Sequence, residues 1–275
     1  MQDNNSQSER ITSLKLLTFN MQVGIHTHAY HHYVTRSWQH FLPHRGRATR
    51  LDVMCDTFRR FDLVGLQEVD GGSFRSSHIN HVEYLAAQAG FPYASQQLNR
   101  DFGRFAKHSN GLLSRLAISH TDNHRLPGPK GRGAMHIRFG EGPEALHLFV
   151  LHLALGTRTQ HLQLDYISEL VAPLRNVILM GDLNCTHDKL RAHPRFSKAM
   201  SLEQSHGVPS YPAWQPTRAL DHIVVSPSLK MNHLRALPPL YSDHLPLAVD
   251  VTLPLPCARS ISIARLGGTT PQGLR

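Results

Sequence analysis

The sequence predicts an α/β fold in which two packed sheets carry helices on their outer faces. Strand-like apolar runs dominate, and several are continuous over four to six residues, as in strands buried inside a layered core. Helical patterns occur one or two at a time between them, which favours helices packed outside the sheets. The length of 275 residues, 40% of them hydrophobic, suits one large domain.

Eight segments have the composition of strands, with aliphatic runs bounded by polar or turn residues. In chain order they are ITSLKLLTFN, FDLVGLQEV, NGLLSRLAISH, GAMHIRFG, ALHLFVLHLAL, NVILMGDLN, LDHIVVS and HLPLAVDVTL.

Three segments between these strands have helical periodicity. In RATRLDVMCDTFRRF, apolar residues recur at i, i+3, i+4 and i+7, which predicts one buried face formed by Leu51, Met54, Cys55 and Phe58. The segments INHVEYLAAQAG and RTQHLQLDYISELV have similar patterns, and the first is predicted to end at a C-cap on Gly90.

We predict a single domain over residues 11–255. No low-complexity linker and no repeat at a solenoid period divides it. The first ten residues are polar, and the last segment, RLGGTTPQGLR, is rich in glycine and polar groups. We therefore expect a disordered N-terminus at 1–10 and a flexible C-terminal tail at 256–275.

Charge and cysteine content narrow the partners and the compartment. The formal charge is +9 with histidines neutral, and a basic surface attracts nucleic acid, phosphorylated metabolites or anionic headgroups.

Three widely spaced cysteines fit neither a disulfide framework nor a zinc ribbon. No run approaches the roughly 20 apolar residues that span a bilayer. The N-terminus lacks the apolar region of a signal peptide, so we expect a cytoplasmic protein.

Polar side chains stand at the ends of the predicted strands. They are Asn20, Glu68, His152, Asp182, Asn184, Asp221, His222, Asp243 and His244. Packing carboxylates together without a cation is costly, because two like charges about 4 Å apart repel by roughly 4 kcal/mol at an effective dielectric of about 20. Oxygen ligands with few thiolates indicate Mg²⁺ or Mn²⁺ rather than structural zinc.

Seven motifs that contain these residues occur in a characteristic order: LTFN, LQEV, NGLLSR, HLAL, GDLN, LDHI and SDHLPL. In that order they resemble the motifs of the endonuclease/exonuclease/phosphatase superfamily, which includes deoxyribonuclease I, AP endonucleases, sphingomyelinases and inositol polyphosphate 5-phosphatases. The resemblance covers residues 14 to about 253, and its NGLLSR motif looks more like that of the sphingomyelinase-like and small bacterial branches than that of the AP endonucleases. It implies a four-layer α/β sandwich of two mainly antiparallel sheets flanked by helices.

The resemblance also implies a role for each strand-end residue. Glu68 is the principal ligand of the Mg²⁺ or Mn²⁺ cofactor, with Asn20 beside metal and phosphate and Asp243 as a further metal-side carboxylate. The catalytic group comprises Asp182, which activates water, Asn184 and His152, which contact phosphate, and the pair Asp221–His244, in which Asp221 fixes the tautomer of His244. Metal and imidazolium together neutralise a phosphodiester that would otherwise repel an anionic nucleophile.

Four further residues are predicted to bind substrate, and three of them have an alternative role. Asn110 lies near substrate or forms an Asn-Gly turn entering a strand. Arg115 contacts phosphate or is a structural partner of a carboxylate. Arg132, beside Lys130 in PGPKGRGA, contacts phosphate or lies on an exposed basic turn. Trp38, in the histidine-rich segment 26–44, is a candidate for stacking on substrate.

The predicted function is metal-dependent hydrolysis of a phosphodiester. The superfamily does not fix the substrate, which can be nucleic acid, a phospholipid headgroup or a small phosphorylated molecule. The alternatives are a DNA or RNA nuclease and a catalytically silent protein that binds phosphorylated ligands. We expect a monomer, and peripheral contact with a membrane surface stays open.

Overall fold

The computed structural model describes residues 12–22, 47–73, 76, 79–101 and 107–261. The strands are β1 Ser13–Asn20, β2 Leu63–Asp70, β3 Tyr93–Asp101, β4 Lys107–Ser114, β5 His120–Arg125, β6 Gly133–Phe139, β7 Leu146–His152, β8 Asn176–Asp182, β9 Asp221–Val225, β10 Lys230–Ala236 and β11 Leu247–Thr252. The helices are α1 Arg47–Phe58, α2 His81–Ala89, α3 Thr157–Val171, α4 His187–Ala192, α5 Pro194–Ala199 and α6 Leu255–Ser260.

The strands form two sheets. The first has six strands in the order β10-β11-β1-β2-β4-β3, and the second has five in the order β5-β6-β7-β8-β9. Neighbouring strands are antiparallel except for two parallel pairs, β1 with β2 and β7 with β8. The predicted mainly antiparallel arrangement is confirmed.

Three apolar clusters separate four layers. The central cluster joins the facing sides of the two sheets, with Leu16 and Val249 from the first and Val150 and Ile178 from the second. A second cluster packs α1 and α2 on the outer face of the first sheet. A third packs α3, α4 and α5 on the outer face of the second. The predicted four-layer α/β sandwich is therefore confirmed.

The predicted helices have the expected buried faces and ends. Leu51, Met54, Cys55 and Phe58 are all buried on α1. The helix α2 begins after Asn80, whose side chain accepts from two backbone N–H groups, and ends at Gly90 with φ of 70°. Glycine adopts that left-handed conformation without steric cost, which explains why the helix stops there. No helix within the described segments is long and apolar enough to cross a membrane.

The predicted strand pattern was incomplete at the sheet edges. The strands β3, β5 and β10 were not predicted, because as edge strands they are polar and half-exposed and lack an apolar run. The segment NGLLSRLAISH is not one strand: β4 ends at Ser114, and β5 begins at His120.

The boundary of the predicted flexible tail also needs correction. The helix α6 occupies Leu255–Ser260, inside the segment predicted to be flexible from residue 256. Its Cys257 is buried in the central cluster, so apolar contacts anchor the chain there. Residues 262–275 and the predicted disordered segment 1–10 lie outside the described residues.

Candidate active site

The two parallel strand pairs bring the predicted site residues to one edge of the sandwich. Asn20, at the end of β1, pairs with Gln67, directly before Glu68 on β2. His152, at the end of β7, pairs with Asp182 at the end of β8. Asp182 also pairs with the first residue of the antiparallel strand β9, Asp221. Because parallel strands end at the same edge, residues distant in sequence meet in one cleft.

A β-bulge directs Glu68 toward this cleft. Between β2 and β4, Gln67 and Glu68 together stand opposite the single residue Asn110. The Gln67 side chain is buried and bonds to Thr18, whereas Glu68 is 28% exposed. The extra residue interrupts the regular pairing of β2 with β4. At this bulge Gln67 stays in the core, and Glu68 faces the cleft.

Backbone strain is concentrated around the cleft. Four non-glycine residues with positive φ lie within two positions of the predicted site residues: Gln22, Glu68, Asn184 and Tyr241, with φ of 44°, 54°, 51° and 55°. Each such conformation costs on the order of 1–3 kcal/mol and persists only where its surroundings impose it. The strain therefore supports a functional role for this edge of the sandwich.

Asp182 is held by a set of hydrogen-bond donors. Its carboxylate accepts from the Asn20 Nδ2 at 3.0 Å, the Asn184 backbone N at 2.9 Å and the Asn184 Nδ2 at 3.2 Å. Burial raises the pKa of Asp182 to about 7, although the neighbouring His244 opposes that rise. A carboxyl group with this pKa can accept a proton near neutral pH.

Asp221 and His244 form a buried pair beside Asp182. The His244 Nδ1 lies 2.7 Å from the Asp221 Oδ2, which also accepts from the Ser210 hydroxyl at 2.6 Å. Burial alone would lower the pKa of His244, but the charge of Asp221 and this hydrogen bond raise it to about 10. These two interactions favour the cationic form of the imidazole.

The cleft carries an excess of negative charge that fits a divalent cation. Burial first, and then the Asp243 carboxylate, raise the pKa of Glu68, whereas His244, Arg132 and a hydrogen bond from Asn20 lower it. Glu68, Asp182, Asp221 and Asp243 supply four potential negative charges, and the cations that act on Glu68 most strongly are His244 and Arg132. The potential metal-ligand atoms of these carboxylates are hard oxygens, which Mg²⁺ and Mn²⁺ prefer.

The most compact acidic group in the cleft differs from the predicted ligand set. Potential ligand atoms of Asp182, Asp221 and His244 all lie within 4.8 Å of one another. However, the 2.7 Å contact between Asp221 and His244 is a hydrogen bond, and an ion cannot enter it without breaking it. Glu68, Asn20 and Asp243 therefore remain the predicted metal ligands.

His152 lies between two carboxylates and Arg132. Its Nε2 is 3.6 Å from an oxygen of Asp182 and 3.8 Å from one of Glu68, and it contacts the Arg132 guanidinium. Burial, followed by the positive charges of Arg132 and His244, lowers the pKa of His152 well below its usual value. His152 is consequently neutral, and Arg132 reaches the cleft rather than lying on an exposed turn.

The remaining predicted phosphate and substrate contacts are only partly in position. Asn184 uses its amide NH₂ to donate to the Leu153 carbonyl and to Asp182, so that group holds the strand ends together. Asn110 is buried and donates to Gln97 and to two carbonyls of the second sheet. The alternative of an Asn-Gly turn is wrong, since Asn110 lies inside β4.

The prediction that Arg115 contacts phosphate is wrong. Arg115 follows β4 at the end of the sheet opposite Glu68, because β4 runs antiparallel to β2. Its guanidinium donates to the carbonyls of Phe61, Gly90 and Arg59 and lies 4.8 Å above the Phe91 ring. It is a structural residue, although its partners are carbonyls rather than a carboxylate. Trp38 and the segment 26–44 lie outside the described residues.

A basic groove extends from the cleft. A cavity of about 160 Å³ is lined by Glu68, Asn99, Arg100, His108, Ser109, Lys130, Gly131, Arg132 and His152. A neighbouring cavity of about 510 Å³ shares Asn99, Lys130, Gly131 and Arg132 and adds Arg125. Arg100 was not predicted, since it lies on an edge strand without a motif. A second bulge, with Asn99 as the extra residue of β3, places it there.

The four-layer sandwich, with acidic, amide and imidazole side chains at one edge of both sheets, defines a protein of the deoxyribonuclease I-like class. The chain belongs to the endonuclease/exonuclease/phosphatase family, whose sequence model matches residues 17–244. The family takes its name from phosphoester hydrolases, and the match includes Asn20, Glu68, Asp182 and His244.

Solved structures share the fold at low sequence identity. A protein of this family from Beutenbergia cavernae is 18% identical with a TM-score of 0.67, and the alignment covers 88% of this chain and 72% of that one. A Bacteroides thetaiotaomicron mannosyl-6-phosphatase is 16% identical with a TM-score of 0.62, covering 87% and 100%. TDP2 of D. rerio, complexed with a single-strand DNA product, is 15% identical with a TM-score of 0.62, covering 88% and 99%. A comparison with curated protein sequences gives no significant match.

Proposed function

We propose that the chain is a divalent-metal-dependent phosphodiesterase. The observation that carries this proposal is the buried cluster of Asp182, Asp221 and His244. It combines a carboxyl group whose pKa is raised to about 7 with an imidazole whose pKa is raised to about 10. A proton acceptor beside a fixed positive charge is what hydrolysis of an anionic ester requires.

The residues divide the chemistry in the following way. Asp182, oriented by Asn20 and Asn184, accepts the proton of the attacking water. His244, kept cationic by Asp221, neutralises charge on the phosphoryl oxygens as the bond from phosphorus to the water oxygen forms and the ester bond to the leaving alcohol breaks. The leaving oxygen takes up a proton from solvent, and Asp182 returns its proton to solvent. A Mg²⁺ or Mn²⁺ ion held by Glu68, with Asn20 and Asp243, would supply further neutralisation of that charge. The imidazole of His152, in its neutral form, and the guanidinium of Arg132 also bind the phosphate.

Cleavage of nucleic acid is the second candidate function, and the basic groove favours it. Among the described residues, the charged side chains that line the groove beyond Glu68 are cationic: Arg100, Arg125, Lys130 and Arg132. A linear polyanion can place its scissile phosphate at Glu68 and neighbouring phosphates along these side chains. A phospholipid headgroup or a small phosphorylated sugar, with a single phosphate group, would not use them fully.

The first experiment compares bis-p-nitrophenyl phosphate with p-nitrophenyl phosphate in the presence of Mg²⁺, Mn²⁺ or EDTA. We expect wild-type protein to hydrolyse the diester with either metal and to lose activity in EDTA. His244→Ala should lower turnover by about 10²-fold or more. His206→Ala removes an exposed histidine and is the matched control. Diester cleavage that survives EDTA, or an unaffected His244→Ala, would reject the proposed mechanism.

A second experiment tests the nuclease candidate with a fluorescent single-stranded oligonucleotide. The double change Arg125→Ala with Lys130→Ala should raise KM about tenfold and reduce the salt dependence, because fewer counterions are released. Arg158→Ala with Lys198→Ala removes the same charge from the outer helical layer as a control. Equal KM values for the two variants would favour a small or lipid substrate.

Cellular location and assembly state remain predictions. The three cysteines are unpaired and buried, which suits the predicted reducing cytoplasm. Size-exclusion chromatography with light scattering would test the predicted monomer.

A further inference from the structure

A second cluster of potential metal ligands lies in the outer helical layer. His161 and Asp165 are four residues apart on α3 and therefore share one face of that helix. His193 is the residue directly before α5 and packs against them, with its ring centroid 4.4 Å from that of His161. None of the three lines either cavity of the cleft.

The spacing within this cluster is too long for hydrogen bonds and close to that of a tetrahedral ion. Asp165 faces each imidazole with one oxygen: Oδ2 is 3.8 Å from the His161 Nε2, and Oδ1 is 3.7 Å from the His193 Nε2. Tetrahedral bonds of about 2.0–2.1 Å place neighbouring ligand atoms roughly 3.4 Å apart. Small rotations of the exposed His161 and the half-buried Asp165 would provide that spacing.

His193 supplies an independent observation. Its side chain is only 2% exposed, and its Nε2 makes no hydrogen bond of normal length and angle among the described residues, although the His161 backbone lies near enough to act on the imidazole. A buried polar atom without a partner is costly, so its presence calls for an explanation. The nitrogen points toward Asp165, where an ion would satisfy it.

We propose that His161, Asp165 and His193 bind a zinc-class transition-metal ion, with water in the fourth position. Two imidazoles and one carboxylate suit Zn²⁺ and similar ions better than Mg²⁺, so this site differs in metal preference from the oxygen-rich cleft. A bound ion would connect the middle of α3 to His193, the residue directly before α5.

Two local contacts change when the ion binds. The His193 Nδ1 accepts from the Phe196 backbone N at 3.3 Å, so the proton of the neutral ring is on Nε2. Coordination moves that proton to Nδ1 and ends this long cap bond. The Arg195 Nε lies 3.7 Å from Asp165 Oδ1, but its guanidinium also donates to Glu169 at 3.0 Å and can keep that partner.

The test is a Zn²⁺ titration of the full chain against a chromophoric chelator, with excess Mg²⁺ present to occupy the cleft. Wild-type protein should bind one more tight equivalent of Zn²⁺ than His161→Ala, and Co²⁺ should give tetrahedral absorption bands only in the wild type. His206→Ala, which removes another exposed histidine, should titrate like the wild type. Identical Zn²⁺ titrations of wild type and His161→Ala would overturn the proposal.

A second readout is independent of the chelator. Zn²⁺ should raise the melting temperature of wild-type protein, because a ligand that binds only the folded state stabilises it. This rise should disappear in His161→Ala and in Asp165→Asn, while both variants keep the Mg²⁺-dependent hydrolysis of the wild type. An equal rise in all three proteins would show that the ion binds elsewhere.

Discussion

At the scale of single residues, the cleft depends on carboxyl and imidazole groups whose pKa values are shifted in useful directions. Burial raises the pKa of Asp182, and the pairing of His244 with Asp221 raises that of the imidazole. Perturbed titratable groups concentrated in one cleft are typical of active sites. Two single substitutions test the separate roles of the proton acceptor and the metal ligand.

The change Asp182→Asn should lower turnover by about 10²-fold or more, because an amide cannot accept the proton of water. The fold should survive, since the new side chain keeps an oxygen for the Asn184 backbone N–H. Steady-state hydrolysis and circular dichroism measure the two effects. Asp188→Asn, an exposed substitution nearby, is the control. Retained turnover in Asp182→Asn would exclude this residue as the base.

The change Glu68→Gln should raise the Mg²⁺ concentration needed for half-maximal activity, because the principal anionic ligand becomes neutral. A metal titration of the activity measures this shift. Glu203→Gln, which neutralises an exposed carboxylate, should leave the titration curve unchanged. If Glu68→Gln gives the wild-type curve, the metal lies elsewhere.

At the scale of elements, strand ends and bulges position the site. The bulge in β2 directs Glu68 to the cleft, and the bulge in β3 places Asn99 and Arg100 beside it. The end of β8 is shaped by Gly181, whose φ is 148°. A Cβ atom at this position would lie 2.0 Å from the Leu151 carbonyl oxygen of the neighbouring strand.

The change Gly181→Ala should therefore destabilise the protein by more than about 2 kcal/mol, since both the backbone conformation and the contact with β7 are unfavourable for any side chain. Urea unfolding measures the loss. Gly156→Ala meets no atom within 4 Å and is the matched control, with little change expected. Equal stabilities of the two variants would contradict the strand geometry described for β8.

At the scale of the whole molecule, buried neutral histidines make stability depend on pH. His136 stacks on Phe149 with ring centroids 4.2 Å apart and lies 2.9 Å from a ring nitrogen of His147. Burial, followed by the charges of His147 and His124, lowers the pKa of His136 to about 4. Below about pH 6.5 the unfolded chain binds this proton more readily than the folded one, so acid favours unfolding.

Between pH 7 and pH 5, His136 alone should cost about 2 kcal/mol of unfolding free energy, given about 1.4 kcal/mol per pKa unit. The loss begins near pH 6.5 and is complete near pH 4. Urea unfolding at several pH values measures it. His136→Gln should flatten the profile, whereas His206→Gln should not. Parallel profiles for wild type and His136→Gln would refute the pKa assigned to His136.

The sequence by itself determined the class of the fold and predicted which polar residues lie at one edge of it. Apolar runs predicted the buried strands, because a strand covered on both faces has apolar residues at successive positions instead of alternating apolar and polar ones. The ordered motifs predicted Asn20, Glu68, Asp182, Asp221 and His244. The ends of β1, β2 and β8 and the start of β9 bring the first four to one edge, where His244 is hydrogen-bonded to Asp221. The polar edge strands were missed, because half-exposed strands do not need an apolar pattern.

Only the tertiary structure decided which polar side chains face the cleft and which bond to the backbone of the fold. Arg115 and Arg132 were both predicted to contact phosphate, yet one bonds to backbone carbonyls and the other contacts His152. The cluster of His161, Asp165 and His193 likewise joins two helices that no sequence motif connects. Strand direction, bulges and helix packing set these contacts, and they depend on residues far apart in the chain.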